Sequence, residues 1–192
     1  MHSIQVAPGI AKVERFISSK QCDELTRDAL REIHWVKAHV GHYKDDALIG
    51  QRLDLEARDV EVGQLSGHFD ARVEGFSSRV SQLIAQQFGI TGLVVEDFMF
   101  SRYVPGCHIK AHSDTGVFST SRVVTAVLYL NDGYSGGELF FPQFDATVNP
   151  GAGDLLLFWS EYEHGVAPIT DGTRYSVVSF AKAEKMLQLV SH

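Results

Sequence analysis

The back half of the chain is a succession of short β-branched and aromatic runs, and this pattern restricts the fold more than any other feature. Leu93–Tyr103, Val123–Leu130, Glu138–Phe141, Asp154–Trp159 and Tyr175–Phe180 are the runs. Between them lie Pro105-Gly106, Asn131-Asp132-Gly133, Gly136-Gly137 and Pro150-Gly151-Ala152-Gly153, residues that reverse an extended chain. Short strands at such close intervals imply a sandwich or a barrel.

The front half is more helical. Val13–Ile17 reads as a short strand, and Ser18 or Ser19 is placed to cap a helix running to about Arg31, with Cys22, Leu25, Ala29 and Leu30 on its buried face. Trp35–Val40 alternates like a strand, whereas Asp45–Gly63 is charged and irregular, a surface loop. In Leu65–Phe88 the residues Leu65, Phe69, Val73, Phe76, Val80, Leu83, Ile84 and Phe88 recur at mostly three- and four-residue intervals and end at Gly89. That spacing predicts a second amphipathic helix. The two helices would cover one sheet of the β core. With no internal repeat and no low-complexity linker, 192 residues of 44% apolar content fit one domain with a sizeable core.

Charge and cysteine usage exclude several functions. A net charge of −7 without a basic run argues against nucleic acid or an anionic membrane as partner. Cys22 and Cys107 lie far apart with no C-x-x-C, so neither a zinc knuckle nor a disulfide framework is expected. Met1–Ile10 lacks the basic start and apolar stretch of a signal peptide. No apolar segment approaches the ~20 residues of a membrane span. A cytoplasmic location is the expectation; the oligomeric state is not legible.

Three residues carry the chemistry: His112 and Asp114, one residue apart, and His164, fifty positions on. The spacing H-x-D alone says little, because nine His and thirteen Asp in 192 residues give ~0.6 matches by chance. The chain has two, His68-Phe69-Asp70 and His112-Ser113-Asp114. The first falls in the predicted second helix, where residues i and i+2 point roughly 200° apart and cannot clasp one ion. The second follows strand-like Met99–Tyr103 and Ile109, and on an extended strand i and i+2 share a face. Two imidazoles and a carboxylate on one face of a metal, with other positions open, are the ligand set of non-haem Fe(II) oxygenases. Equally open from the residues alone is a core His-x-Asp making ordinary hydrogen bonds, with His164 an independent loop residue.

Arg174 and Ser176 lie ten and twelve residues after His164, on one face of a strand. A guanidinium fork beside a hydroxyl suits a carboxylate ligand; a plain salt bridge to a neighbouring Asp or Glu is the alternative. Gly136-Gly137 and Pro150–Asp154 read as bends without a catalytic part. His34, His39, His42 and His108 read as surface or packing residues.

Taken together, these runs match a family. Phe100-Ser-Arg-Tyr103-Val-Pro-Gly106, His112-Ser-Asp114, Thr125-Ala-Val-Leu-Tyr129-Leu-Asn131, Gly136-Gly-Glu-Leu139, Pro150-Gly-Ala-Gly-Asp154, Leu157-Phe-Trp159-Ser, His164-Gly-Val and Arg174-Tyr-Ser176 occur in that order. The series resembles the 2-oxoglutarate/Fe(II)-dependent dioxygenase superfamily, prolyl 4-hydroxylase-like branch, over residues 93–181. The resemblance implies an α+β protein, mainly β with helices: a double-stranded β-helix (jelly roll) core with two or three supporting N-terminal helices. It implies a single domain over 1–192, with a helical and strand front at 1–92 and the jelly-roll motif core at 93–181.

Within that family His112, Asp114 and His164 take the iron-ligand positions, and Arg174 the position that pairs with the distal carboxylate of 2-oxoglutarate. Tyr103, Tyr129, Thr125 and Ser176 fall at positions around that co-substrate; no catalytic residue beyond metal and co-substrate ligands is implied. Fe(II), 2-oxoglutarate and O2 would be required, ascorbate would support activity, and succinate and CO2 would accompany hydroxylation. Asp114 stands where the halogenating branch lacks a carboxylate, which favours hydroxylation. Gly136-Gly137-Glu138-Leu139-Phe140-Phe141 departs from the Gly-Gly-Glu-Thr-x-Phe of collagen-type members, which points away from a collagen-like substrate. The expected substrate is an amino acid or a peptide, with proline leading. The alternatives are a natural-product tailoring oxygenase and a non-catalytic jelly-roll binding module. Asp45–Gly63 and Thr115–Arg122 would shape the mouth, and Arg52 and Arg122 there could meet a substrate carboxylate or be solvated surface residues.

Overall fold

Strand β14 shows how the sequence builds the core, because its five residues Leu-Leu-Leu-Phe-Trp alternate between two apolar layers. In this computed structural model, which describes residues 2–44, 47–65, 72–73, 75–116 and 121–183, the elements run as follows. The front half holds β1 (His2–Ala7), β2 (Ile10–Glu14), α1 (Ser19–Glu32), β3 (Val36–Lys37), β4 (Val40–Lys44), β5 (Ala47–Arg52), β6 (Arg58–Asp59), β7 (Glu61–Gly63) and α2 (Phe76–Phe88). Next come β8 (Leu93–Tyr103), β9 (His108–His112), β10 (Arg122–Tyr129), β11 (Tyr134–Gly136), β12 (Leu139–Phe141) and β13 (Ala146–Val148). The chain closes with β14 (Leu155–Trp159), β15 (His164–Val166), β16 (Ile169–Gly172) and β17 (Arg174–Ala183). Among the described residues the protein is mostly β with two α-helices.

Two sheets dominate. The larger has eight strands in the order β1-β2-β14-β10-β17-β8-β7-β3, and the smaller five in the order β13-β12-β15-β9-β6. Val127, Tyr129, Leu156 and Phe158 of the large sheet share one buried cluster with Leu139, Phe141, Val148 and Val166 of the small one. The opposite face of the large sheet, through Leu128, Leu155, Leu157 and Val177, packs on Leu25 and Ala29 of α1 and on Phe76, Val80 and Ile84 of α2. Alternating side chains on β10 and β14 therefore all find apolar surroundings, which is why those strands read as unbroken hydrophobic runs. Each fully buried Leu or Phe contributes roughly 1.5–3 kcal/mol over its exposed state.

Several local expectations are met and several corrected. Helix α1 starts with Ser18 as its cap, and Ser18 and Gln21 exchange backbone-to-side-chain hydrogen bonds of 3.0 and 3.3 Å, a capping box. Leu30, expected on its buried face, is 53% exposed; the buried stripe is Cys22, Leu25 and Ala29. Helix α2 ends at Gly89 as the spacing requires, in the left-handed conformation, but it begins only at Phe76. Gly75, at φ +66°, sets its start. Leu65 and Val73 join the same core ahead of Phe76. His68, Phe69 and Asp70 lie outside the described residues. The early strand is β2 rather than Val13–Ile17, because Ile10, Ala11 and Val13 face the core while Phe16 and Ile17 are buried beyond its end. Trp35–Val40 splits into β3 and the start of β4. Asp45–Gly63 is not one loop: it contributes β5, β6 and β7, the last two pairing with β9 and β8. Strands of two and three residues such as β6 and β7 leave no alternation to read.

Among the described residues no helix is long and apolar enough to cross a membrane.

Candidate active site

The smaller sheet brings the two histidines together. Strands β9 and β15 run antiparallel with His112 and His164 directly opposite, and side chains at opposed positions project from the same face. Their ring centroids are 4.5 Å apart. Strand β9 ends at His112, and the chain bends so that the Asp114 carboxylate returns between the rings: Oδ1 lies 3.6 Å from His112 Nε2 and Oδ2 3.4 Å from His164 Nε2. The three ligating atoms lie within 4.8 Å of one another.

Hydrogen bonds decide what those atoms offer. His112 Nδ1 is 3.0 Å from the Lys110 carbonyl and His164 Nδ1 2.9 Å from the Tyr162 carbonyl. A carbonyl only accepts, so each Nδ1 carries a proton, and each Nε2 is the ring nitrogen turned toward Asp114. Burial pushes the His164 imidazole below its ordinary range, which keeps it neutral near pH 7. Burial also pushes the Asp114 carboxyl up, yet the ring nitrogens of His112 and His164 and the Thr125 hydroxyl outweigh it and bring it down to about 2. Two imidazole Nε2 atoms and one ionised carboxylate thus converge on one point. That donor set fits a divalent cation, and Fe(II) with positions left open is its best match.

A second layer holds Asp114. Thr125 Oγ donates to Asp114 Oδ2 at 2.7 Å, and Ser160 Oγ lies 2.9 Å from Thr125 Oγ. With the Thr125 proton committed to the carboxylate, Ser160 is the donor to Thr125. The Ser160 carbonyl also accepts from the Asp114 amide at 2.9 Å and from Ser113 Oγ at 3.1 Å. Removing a partner of this kind costs 10–100-fold in metal affinity. Thr125→Val is therefore expected to weaken Mn(II) binding at least ~10-fold with little change in thermal midpoint, measured by titration and calorimetry.

Gly165, between His164 and Val166, is the close-packing point of the two strands. A Cβ there would run into the Phe140 ring and lie 2.8 Å from the Ile109 carbonyl oxygen. Gly165→Ala is expected to lower stability by about 1–3 kcal/mol through overpacking. It should weaken metal binding as well, because β15 must shift off β9; a denaturant melt and the same titration check both.

At the inner end of the cavity sits Arg174. It opens β17 opposite Tyr103 and is 1% exposed. Its Nη1 donates to the Gly137 carbonyl at 2.8 Å and its Nη2 to Tyr129 Oη at 3.3 Å. The guanidinium lies 4.7 Å and 4.6 Å from the Tyr103 and Tyr129 ring centres. Its Nε has no partner, and no ion pair with a carboxylate is found among the described residues, so the plain salt bridge is not what holds it. A buried cation without an anion is costly, and a ligand carboxylate would offset that cost. The Gly136-Gly137 bend, given no part from sequence, supplies the carbonyl that aims this arginine; Gly136, at φ +74°, packs against the Pro168 carbonyl.

One cavity of about 130 Å3 joins His112, Asp114 and His164 to Arg174, close to the ~150 Å3 that admits benzene.

Comparison with known proteins agrees with this arrangement. Residues 98–182 match the model of the 2OG-Fe(II) oxygenase superfamily. That span holds His112, Asp114, His164 and Arg174. A PKHD-type hydroxylase of Crocosphaera subtropica is 25% identical over 179 residues, 89% of this chain and 77% of that protein. A prolyl-4-hydroxylase of Pseudomonas putida shares the fold at TM-score 0.64 and 24% identity, covering 92% of this chain and 94% of that one. A Trichoplax adhaerens prolyl hydroxylase, solved with a hypoxia inducible factor peptide fragment, does so at TM-score 0.69 and 20% identity, covering 97% and 89%. The fold is thus prolyl 4-hydroxylase-like. The chain spans 47% of a mimivirus protein to which it is 26% identical over 113 residues, about half the length of that relative.

The remaining expected residues fall at graded distances from the cavity. Tyr103 and Thr125 line it, although the Thr125 hydroxyl is given to Asp114. Tyr129 is fully buried and bears on the site through Arg174. Ser176 lies one pleat along β17 from Arg174, fully buried, its hydroxyl without a partner. Arg122 lines the mouth, its Nη1 3.3 Å from the Asp114 carbonyl. Arg52 does not: it is exposed on β5 and paired with Asp54 at 3.0 Å. A residue without any motif joins the cavity instead, Arg58 of β6. Only its pairing with β9 brings it there, and a cation within a charged, irregular stretch carried no signal of that.

Proposed function

We propose that the chain is a 2-oxoglutarate- and Fe(II)-dependent dioxygenase that hydroxylates an amino-acid or peptidyl substrate, prolyl foremost. The observation that carries this reading is a single cavity with two imidazoles and a carboxylate at one end and, at the other, a buried arginine with no carboxylate partner among the described residues. Facing sheets closed by short connections support a double-stranded β-helix formed by one domain over residues 1–192. His112 Nε2, Asp114 and His164 Nε2 would hold Fe(II), and Arg174 the distal carboxylate of 2-oxoglutarate, with Tyr103 over the guanidinium. When bound, the iron supplies O2 activation coupled to decarboxylation of 2-oxoglutarate to succinate and CO2 and to hydroxylation of the substrate.

The chain's own contribution is positional. The Lys110 and Tyr162 carbonyls fix which imidazole nitrogen faces inward, Thr125 and Ser160 fix the carboxylate, and Gly137 and Tyr129 fix the guanidinium. Met99, Val127, Leu139, Val166 and Val178 keep the space between the two ends dry, which strengthens every charge interaction inside it. A binding module without turnover would leave both charged ends unexplained.

Incubation with Fe(II), ascorbate and 2-oxoglutarate, followed by mass spectrometry of free amino acids and proline peptides, tests the reading. Succinate with a +16 Da product is expected. A protein that takes up Fe(II) and 2-oxoglutarate without a metal-to-ligand charge-transfer band would sink it, and a chlorinated product would overturn hydroxylation.

A further inference from the structure

The mouth of the cavity is basic in a chain that carries more acids than bases, 24 against 17. Outside the Arg174 end, a groove of about 370 Å3 leads in past His39, Arg58, Lys110 and Arg122. Arg58 and Arg122 line both the groove and the inner cavity. They come from opposite sheets: Arg58 from β6 at the edge of the smaller one, Arg122 from the first residue of β10 in the larger.

Neither arginine has a carboxylate partner among the described residues. Arg58 Nε is buried with no hydrogen bond. Arg122 spends one nitrogen on the Asp114 carbonyl and lies flat on Phe180, 3.6 Å from the ring centre, so its position is set while its other donors stay available. Lys110, by contrast, is exposed and neutralised by Glu56 at 3.1 Å. The one carboxylate among the described lining residues is Asp114, and its oxygens face the two imidazoles and Thr125.

We propose that Arg58 and Arg122 form a binding site for a carboxylate carried by the substrate, placed beside the His112–Asp114–His164 centre and separate from the co-substrate's anchor at Arg174. Two planar guanidinium groups present parallel N–H pairs that match a carboxylate and fix its orientation. Because the chain as a whole repels anions at long range, selection for such a substrate must come from this local pair. The proposal rests on the hydroxylase reading and narrows it: the substrate is anionic close to the oxidised carbon. The carboxylate is either the α-carboxylate of a free amino acid or an acidic side chain beside the target residue in a peptide.

The test uses full-length protein loaded with Mn(II) and 2-oxoglutarate and ligand-observed NMR with two probe pairs. One pair is L-proline and L-prolinamide; the other is an N-acetylated, C-amidated Ala-Pro-Glu peptide and its Gln counterpart. In one pair at least, the carboxylate form is expected to bind ~10-fold or more tightly than the amide. That preference should vanish in Arg58→Gln and Arg122→Gln while 2-oxoglutarate affinity stays within a few-fold. The pair that shows it identifies the carboxylate's source. If either glutamine variant does not fold, Arg58→Lys or Arg122→Lys replaces it, with a reduced preference expected because the fork is lost. Amides that bind as tightly as acids, a preference that survives in the variants, or a wild type that takes 2-oxoglutarate but no carboxylate probe would overturn this proposal alone. A wild type that takes neither Mn(II) nor 2-oxoglutarate would bring down the hydroxylase reading with it.

Discussion

His112→Ala, Asp114→Ala and His164→Ala should each abolish stoichiometric Fe(II) binding and succinate formation while leaving the thermal midpoint near that of the wild type. The expectation follows from the count of donors. A site with three protein ligands and open positions loses a large part of its affinity with any one of them, and the cross-strand opposition of His112 and His164 leaves no other donor at that point among the described residues. The fold should tolerate the change at His112, which sits at a strand end; His164 is buried against Phe141 and Phe158, so its variant is read beside a thermal melt. Anaerobic titration followed by succinate detection checks it. Arg52→Ala, on the exposed hairpin, serves as the control that should change neither. His68→Ala should likewise leave turnover within a few-fold; an inactive His68→Ala with an active His112→Ala would reverse the assignment of the two His-x-Asp pairs.

The second large effect is expected at Arg174. Arg174→Ala should raise the 2-oxoglutarate KM roughly 30-fold or more, since truncating one partner of a buried charged pair costs about 2–5 kcal/mol. Arg174→Lys should be milder yet clearly impaired, because a point charge lacks the fork and loses the flat contacts with Tyr103 and Tyr129. An unchanged KM in Arg174→Ala would move the anchoring to another base, with Arg58 the next cation along the cavity. Arg174 also donates to Gly137 and Tyr129 inside the protein, so the KM is read beside a thermal melt to separate a lost anchor from a loosened wall.

How far the sequence led depended on the range of the interaction. The cap at Ser18, the glycine stop at Gly89 and the full span of β8 were legible, since each depends on neighbours within a turn or on a two-residue alternation. Of the predicted second helix, Phe76–Phe88 is helical, and Leu65 and Val73 are buried in the same core ahead of it. Leu30 erred, an apolar residue at the edge of a stripe that nothing covers. In Asp45–Gly63 the strands of Arg58 and Glu61 are two and three residues long and pair through backbone hydrogen bonds, too short for a side-chain pattern to announce.

The same division holds at the site. By itself the sequence named the candidate donors, because His-x-Asp, a distant histidine and Arg-x-Ser identify them by residue type and spacing. Only the tertiary structure decided how those donors meet. The opposition of His112 and His164 is a register across fifty residues, made possible by the missing side chain of Gly165. The tautomers depend on two carbonyls, the carboxylate on Thr125 and Ser160, and the aim of Arg174 on a carbonyl in a bend that sequence read as punctuation. Arg58 reaches the cavity through a two-residue strand. Residue type is local information, whereas distance between chain-remote atoms is set by sheet registry and packing.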